Sequence, residues 1–143
     1  AIFRSEEYEV HTRLVEGKYF EYERFFQTYP INTIVKRSVM LDAVTRAKLC
    51  TEELTPTRFD IERDELKLSI KDKSADYAEV IHLQSPVNEK MVIGFNSRLV
   101  LETLKAHTGE DISLSFGGSK QPVIVNSDAM KSIVLPVQIR TEN

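Results

Sequence analysis

The chain has 143 residues, of which 41% are hydrophobic and 29% charged, and its formal net charge is −3. These values are typical of a globular domain and argue against a membrane-spanning protein, a disordered chain or a protein coated in basic residues. The single cysteine, Cys50, excludes an internal disulfide and suits a reducing cytoplasm. The amino terminus has no secretory signal pattern. It also lacks a starting Met, from which we expect the sequence to be a fragment.

The first predicted elements are a strand and an aromatic connector. Polarity alternates from Tyr8 to Leu14, which is the period of a β-strand, and Gly17 ends the strand. Residues 18–29 are rich in aromatic and charged side chains, have no clear period and run into Pro30. We interpret this stretch as a connector with exposed aromatic side chains.

Beyond Pro30 the pattern predicts a strand, an amphipathic helix and three further strands. The helix is expected from Ser38 to Cys50, since apolar residues recur there at the spacing of one helical face. Turns are expected at Arg63-Asp64 and in the charged segment from Asp72 to Asp76. The predicted strands of this first unit are Asn32 to Lys36, Arg58 to Glu62, Glu65 to Lys71 and Ala78 to Gln84.

The same order of elements then occurs a second time. Asn96 or Ser97 is expected to cap a helix that continues to about His107 and stops at Gly109. The predicted strands are Met91 to Phe95, Ile112 to Phe116, Pro122 to Asn126 and Ser132 to Ile139. A repeated unit of roughly fifty residues predicts an α+β fold, a duplicated strand-helix-three-strand unit whose antiparallel half-sheets join, with both helices packed on one side.

Three segments resemble the bacterial DNA sliding clamps, the β subunits of DNA polymerase III. The run MVIGFNSRLVLETL, from Met91 to Leu104, is similar to the strand and helix of the family's last domain, in which a Phe-Asn pair opens the helix. Ser132 to Val137 resembles the family's apolar-Pro-apolar ending, and Leu14 to Phe25 resembles the stretch that joins its middle and last domains. Arg46-Ala47 on the first helix fits as well.

The resemblance implies the DNA-clamp fold, with residues 1–28 as a remnant of the middle clamp domain and connector and residues 29–143 as the carboxy-terminal clamp domain. It further implies a cytoplasmic, nucleoid-associated processivity factor, which encircles duplex DNA as a head-to-tail homodimer without reading its sequence. The implied partners are the DNA polymerase catalytic subunit and the clamp loader, which bind through linear peptide motifs. It implies no cofactor, no metal ion and no membrane association.

The family's partners bind a pocket with apolar walls between the middle and last domains, and the resemblance implies which residues form it here. At three of these positions the chain departs from the family. It has Phe20 where the family commonly has Pro, Phe25 where the family has a smaller aliphatic residue, and Gln138 where the family has Arg, so its peptide preference stays open. Pattern alone favours a core strand from Ile133 to Ile139, and the resemblance reverses that preference. The pocket would comprise Phe20, Arg24, Phe25, Asn96, Leu99, Pro122, Ile133, Leu135, Pro136, Val137 and Gln138.

Two further surfaces are implied. Five cations on the helices would meet DNA phosphates, or else lie on solvated helix faces with i,i+4 pairs such as Asp42 with Arg46 and Arg98 with Glu102. A helix end and an edge strand would meet a second subunit, the alternative being two buried core residues and two solvated carboxylates. The DNA-facing residues would be Arg37, Arg46, Lys48, Arg98 and Lys105, and the dimer-interface residues Leu49, Cys50, Asp76 and Glu79.

An enzyme is disfavoured by the pattern. The three histidines are far apart in sequence without metal-ligand spacing, no serine lies in a nucleophile elbow, and Gly117-Gly118 lacks the lysine of a phosphate-binding loop. The stronger rival is a clamp-like peptide-binding or self-assembling module that does not encircle DNA.

Overall fold

A computed structural model of the chain describes residues 1–50, 55–71 and 76–139. Within these ranges it contains ten strands, two α-helices and a single 3₁₀ turn at Tyr22–Phe25. In chain order the strands and helices are β1 (Ile2–Arg4), β2 (Glu9–His11), β3 (Ile31–Lys36), α1 (Arg37–Leu49), β4 (Thr57–Glu62), β5 (Glu65–Lys71), β6 (Asp76–His82), β7 (Met91–Phe95), α2 (Ser97–Ala106), β8 (Asp111–Phe116), β9 (Val123–Asn126) and β10 (Lys131–Val134).

The predicted repeat is confirmed, and the two copies exchange their first strands. One antiparallel sheet has the order β10-β9-β8-β3 and the other β6-β5-β4-β7. Each sheet therefore takes three strands from one copy of the unit and the first strand from the other copy. The joints are equivalent, since Ile31 pairs with Phe116 where β3 meets β8 and Met91 pairs with Ile61 where β7 meets β4.

The core forms because the inward positions of the strands and one face of each helix are apolar. Phe59 and Phe95 meet edge to face at its centre, with ring centroids 5.1 Å apart. Helix α1 packs on β3, β5, β6 and α2, and α2 packs on β10. Truncating an aromatic ring in such a core costs roughly 3–5 kcal/mol, so these rings specify the arrangement of both sheets. None of the helices in the described residues is long and apolar enough to span a bilayer.

The boundaries differ from the prediction at both ends of the chain. The predicted strand from Tyr8 to Leu14 is shorter, at Glu9–His11, and pairs with Ile2–Arg4, a strand that was not predicted. The predicted strand from Ser132 to Ile139 ends at Val134, and Val137 forms only an isolated bridge to Gly94. Pro136 explains the break because it has no N–H to donate to a sheet. The turn predicted from Asp72 to Asp76 lies outside the described residues, apart from Asp76 itself.

Candidate functional site

An open cleft of about 540 Å³ lies between β7 and the segment that follows β10. Three residues of the predicted peptide pocket, Pro136, Val137 and Gln138, form part of its wall. The remaining residues that line it are Arg58, Val92, Ile93, Gly94, Ser119, Lys120 and Ile139.

The segment Leu135–Val137, which we call the rim, presents apolar side chains to solvent. Val134, the last residue of β10, is buried, whereas Leu135 is 57% and Val137 37% exposed. The Val137 N–H donates to the Gly94 carbonyl oxygen at 2.8 Å, so the rim is tied to the free edge of β7. The burial pattern does not match the alternative of a strand packed in the core.

Gly94 permits this close approach. A Cβ placed there would lie 2.6 Å from Ile139 Cγ1 and 2.7 Å from the Val137 carbonyl oxygen, both inside van der Waals contact. A side chain at this position would therefore displace the rim from β7. The prediction missed Gly94 because its role depends on a contact more than forty residues along the chain.

The duplication provides an internal comparison for the rim. After β6, the segment 83–87 crosses the free edge of β3, and the Gln84 N–H donates to the Ile34 carbonyl oxygen at 2.8 Å. This is the counterpart of the bond from Val137 to Gly94. The first copy buries its apolar residues, with Leu83 only 8% and Val87 only 6% exposed, whereas the second copy exposes those of the rim.

The start of α2 lies next to the bridge at Gly94. The side chain of Asn96 caps the helix, because its Oδ1 accepts hydrogen bonds from the N–H groups of Arg98, at 2.9 Å, and Leu99, at 3.4 Å. Asn96 thus has a structural role in addition to its predicted binding role. Leu99 is exposed on the first turn of the helix.

The connector folds into an aromatic cluster. The rings of Phe20 and Phe25 are stacked with centroids 5.5 Å apart, and the Arg24 guanidinium carbon lies 5.6 Å and 5.0 Å from those two centroids. Lys131, the first residue of β10, has its Nζ 5.8 Å from the centroid of the Phe26 ring. The connector therefore contacts, through Phe26, the strand that carries the rim, although none of these aromatic rings lines the cleft.

Of the other predicted pocket residues, Pro122 is buried and Ile133 is half-buried. Neither lines the cleft, so the structure brings the predicted set together only in part.

The cleft contains two cations, Arg58 and Lys120, that were not predicted from the sequence. Arg58 donates to both carboxylate oxygens of Asp60, at 2.8 Å each, and this hydrogen bonding raises the pKa of Arg58. Lys120 is exposed at the same cleft. The alternation of buried and exposed positions along β4 could have revealed that the Arg58 side chain points outward. The residues adjacent to Ser119 and Lys120 in the sequence give no indication that these two residues lie at the same cleft.

Arg37, predicted to face DNA, is engaged within the fold. Its Nε donates to the Gly109 carbonyl oxygen at 3.0 Å and its Nη1 to the Leu104 carbonyl oxygen at 3.3 Å. These are carbonyl groups at and beyond the end of α2, where a cation also interacts favourably with the helix dipole. Arg37 is half-buried and joins the start of α1 to the end of α2.

Arg46 and Glu79 were assigned to different surfaces, and the structure pairs them. Arg46 Nε donates to Glu79 Oε2 at 2.9 Å and Nη2 to Oε1 at 2.5 Å, which raises the pKa of Arg46 and lowers that of Glu79. The Tyr77 hydroxyl oxygen lies 2.5 Å from Glu79 Oε2 and 3.1 Å from the Ala43 carbonyl oxygen. Burial, together with the hydrogen bond to Glu79, raises the pKa of Tyr77 to about 12.

The remaining predicted cations are exposed on the two helices. Arg98 Nε donates to Glu102 Oε1 at 3.0 Å, the i,i+4 pair that was considered as an alternative. Arg46 pairs with Glu79 and not with Asp42. Lys48 and Lys105 lie on the exposed faces of α1 and α2, and these helices pack against each other.

The predicted interface residues lie near one edge of the domain. Leu49, at the end of α1, is 83% exposed, which contradicts the alternative of a buried core residue, and Cys50 is half-buried. Asp76 is exposed on β6, whose other side has no strand partner within the described residues. Among those residues, no group of three or more His, Cys, Asp or Glu side chains could hold a metal ion.

Comparisons with known proteins all lead to one family. The family model described as "DNA polymerase III beta subunit, C-terminal domain" matches residues 27–138. The beta sliding clamp of Proteus mirabilis is 26% identical over 133 residues, which cover 90% of this chain and 36% of that protein. The clamp of Staphylococcus aureus is 22% identical over 134 residues, 89% of this chain and 36% of that protein. The chain thus spans about a third of the length of these relatives.

A solved structure agrees on the fold. The beta subunit of DNA polymerase from Streptococcus pyogenes superposes with a TM-score of 0.82 at 22% identity, covering 96% of this chain and 39% of that one.

Proposed function

The chain belongs to the DNA polymerase III beta subunit family, whose carboxy-terminal domain it contains, and we propose that it acts as part of a sliding clamp. In this proposal the whole protein encircles duplex DNA as a head-to-tail dimer and tethers the polymerase catalytic subunit, the clamp loader and other partners. Tethering is a binding function: it raises the effective concentration of a partner at the DNA, and no bond is made or broken. Such a protein would act at the nucleoid in the cytoplasm.

The observation that carries the proposal is the exposure of the rim. In the first copy of the repeat, the segment after the last strand buries Leu83 and Val87, so this position in the fold does not require exposed apolar residues. The second copy exposes Leu135 and Val137 beside a cleft. Exposed apolar side chains next to a concave surface are what a linear peptide with apolar anchors needs.

The DNA-facing surface is proposed to be the exposed faces of α1 and α2. Lys48, Arg98 and Lys105 lie on these faces, and flexible cations can meet phosphates without reading bases. Arg46 would join them only at the expense of its pair with Glu79. Arg37 contributes mainly to the fold, because its Nε and Nη1 already donate to carbonyl groups at the end of α2.

Ring closure is proposed at the edge formed by β6 and the end of α1. An unpaired strand edge invites pairing with another chain, and the exposed side chains of Leu49 and Val80 would lose contact with water there. Asp76 would supply an exposed acidic group for a partner subunit, and Glu79 would do so only at the expense of its pair with Arg46.

Residues 1–28 are proposed to belong to a preceding clamp domain and its connector. The hairpin of β1 and β2 has only two strands, and isolated hairpins are marginally stable in water. Its apolar side chains, including Phe3 and Val10, are exposed. Further strands of a middle domain would cover them.

The proposal is tested by titrating a fluorescent peptide, with apolar anchors after a glutamine, into this chain and into a protein extended to the length of its relatives. Leu135→Ala with Pro136→Ala is the test variant, and Val39→Ala, at an exposed aliphatic residue of α1, is the matched control. We expect saturable micromolar binding that the test variant loses and the control keeps. Absence of binding to the extended protein would reject the peptide-tethering function.

The second candidate is a self-assembling module, favoured by the edge of β6, which has no strand partner within the described part of the chain, and by its exposed Val80. It predicts that this chain forms oligomers whose mass, measured by analytical ultracentrifugation, increases with concentration. Substituting Val80 by Lys would abolish such oligomers. A clamp of the proposed length would instead assemble only when its first domain is present.

A further inference from the structure

His107 is a buried titratable residue with no role in the function proposed above. Only 1% of its surface is exposed. It follows the last residue of α2, and its backbone N–H still donates to the Thr103 carbonyl oxygen at 3.2 Å. Both ring nitrogens have partners: Nδ1 lies 2.9 Å from Ser127 Oγ and Nε2 lies 3.0 Å from Ser132 Oγ.

The two serines lie at the turn end of the hairpin of β9 and β10. Ser127 follows β9, whereas Ser132 is the second residue of β10. The Ser127 hydroxyl also faces the Met130 carbonyl oxygen, at 3.5 Å. If the Ser127 hydroxyl donates its hydrogen to the Met130 carbonyl oxygen, its oxygen can accept a hydrogen bond from Nδ1–H of His107. The other ring nitrogen, Nε2, then carries no hydrogen and accepts a hydrogen bond from the Ser132 hydroxyl. The ring thus uses both nitrogens as a neutral imidazole.

The electrostatic surroundings keep the ring neutral. Burial lowers the pKa of His107, and the nearby charge of Arg37 lowers it further. A neutral ring between two hydroxyls, with no carboxylate bonded to it, does not form a serine nucleophile with an oriented base. Its position indicates instead that His107 holds neighbouring segments of the chain in place.

Two hydrogen bonds fix the segment that contains the rim, one before it and one at its end. Val137 is bonded to Gly94, in the strand that precedes α2, and Ser132 is bonded to His107, which follows α2. The segment from 132 to 137 therefore runs back along α2, anchored at both ends of the helix, and α2 packs on β10. Leu135 lies between these two anchors.

We propose that His107 is a positioning residue for the peptide-binding rim: its bond to Ser132 fixes the start of β10 and hence how Leu135, Pro136 and Val137, which follow that strand, meet a partner peptide. The proposal rests on the peptide-binding function proposed above. Because the bond to Ser127 holds the other side of the turn, only the bond to Ser132 lies on the strand that leads directly into the rim. The two serines are therefore a matched pair for a test.

The test compares Ser132→Ala with Ser127→Ala in peptide affinity and in the hydrogen exchange of the Val137 amide, measured by NMR. We expect Ser132→Ala to weaken binding of the fluorescent peptide at least fivefold and to speed exchange at Val137. Ser127→Ala should leave both within twofold of the parent chain. His107→Gln, whose amide can reach the place of Nε2, should retain affinity, whereas the shorter His107→Asn should lose it.

Equal affinities for the two serine variants would overturn the proposal, since a general loss of stability does not discriminate between them. If the parent chain binds no peptide, the function proposed above fails, and exchange at Val137 still decides the positioning role. Faster exchange in Ser132→Ala alone would support it. Unchanged exchange, or equal acceleration in both variants, would refute it.

Discussion

Substituting Gly94 by Ala should detach the rim from β7. The new Cβ would lie 2.7 Å from the Val137 carbonyl oxygen, a backbone atom that cannot rotate away, and 2.6 Å from Ile139 Cγ1, which can. Displacement breaks the 2.8 Å hydrogen bond from the Val137 N–H. Losing that bond costs about 0.5–1.5 kcal/mol, and the crowding about 1–3 kcal/mol if the segment could not move. Since it can move, we expect the free energy of unfolding to fall by about 1–2 kcal/mol.

Urea unfolding followed by circular dichroism measures this change, and peptide titration measures its consequence. With a slope of roughly 2 kcal/mol per molar urea, the midpoint should fall by about 0.5–1 M. Peptide affinity should fall about tenfold, which corresponds to about 1.4 kcal/mol. Adding Ile139→Ala removes one of the two clashes and should restore only part of the loss. An unchanged midpoint together with slow exchange at the Val137 amide would refute the reasoning.

Two further predictions concern ionisable groups. Because the folded pKa of His107 is lowered by burial and by Arg37, the unfolded chain takes up this proton first as the pH falls. The stabilisation is present above about pH 6.5 and is lost as the pH falls towards the folded pKa, so urea midpoints measured from pH 7.5 to 5 should fall less steeply in His107→Gln. Glu79→Gln should lower the pKa of Tyr77 from about 12, because the hydrogen bond and charge of Glu79 contribute to that value. The ¹³C shift of the Tyr77 Cζ, followed between pH 9 and 12.5 with Tyr77→Phe for assignment, measures it, and an unchanged midpoint would contradict the expectation.

Local periodicity was sufficient for the elements in which each residue's environment repeats along the chain. The bounds of β5 and β7 match their predictions, and the cap at Asn96 was expected from the residue type alone. The alternation along β5 reports directly on which residues face the core. For the same reason both ends of α1, at Arg37 and Leu49, differ by only one residue from the predicted helix, Ser38 to Cys50.

Features that depend on distant partners could not be predicted in this way. Arg46 has Asp42 at the spacing of a helical pair, yet it bonds to Glu79, 33 residues away on β6. Arg58 and Lys120 both line the cleft although they are distant in sequence. They lie close together because β3 and β7 each belong to the sheet of the other copy. A strand pattern also cannot separate the end of β10 from the rim, because the apolar run continues from Ile133 to Val137 and only Pro136 marks the change.

The duplicated unit explains why a binding surface could arise at the rim without loss of the core. Both copies must cover the free edge of a first strand, and in both a backbone N–H of the crossing segment does so. The first copy adds side-chain bonds, from Thr33 Oγ1 to the Ser85 carbonyl oxygen at 2.6 Å and from the Ile34 N–H to Ser85 Oγ at 3.0 Å, and buries its apolar residues. The second copy keeps the backbone bond at Gly94 and leaves its apolar side chains to solvent. A partner peptide that covers them would supply in trans the burial that the first copy obtains from its own chain.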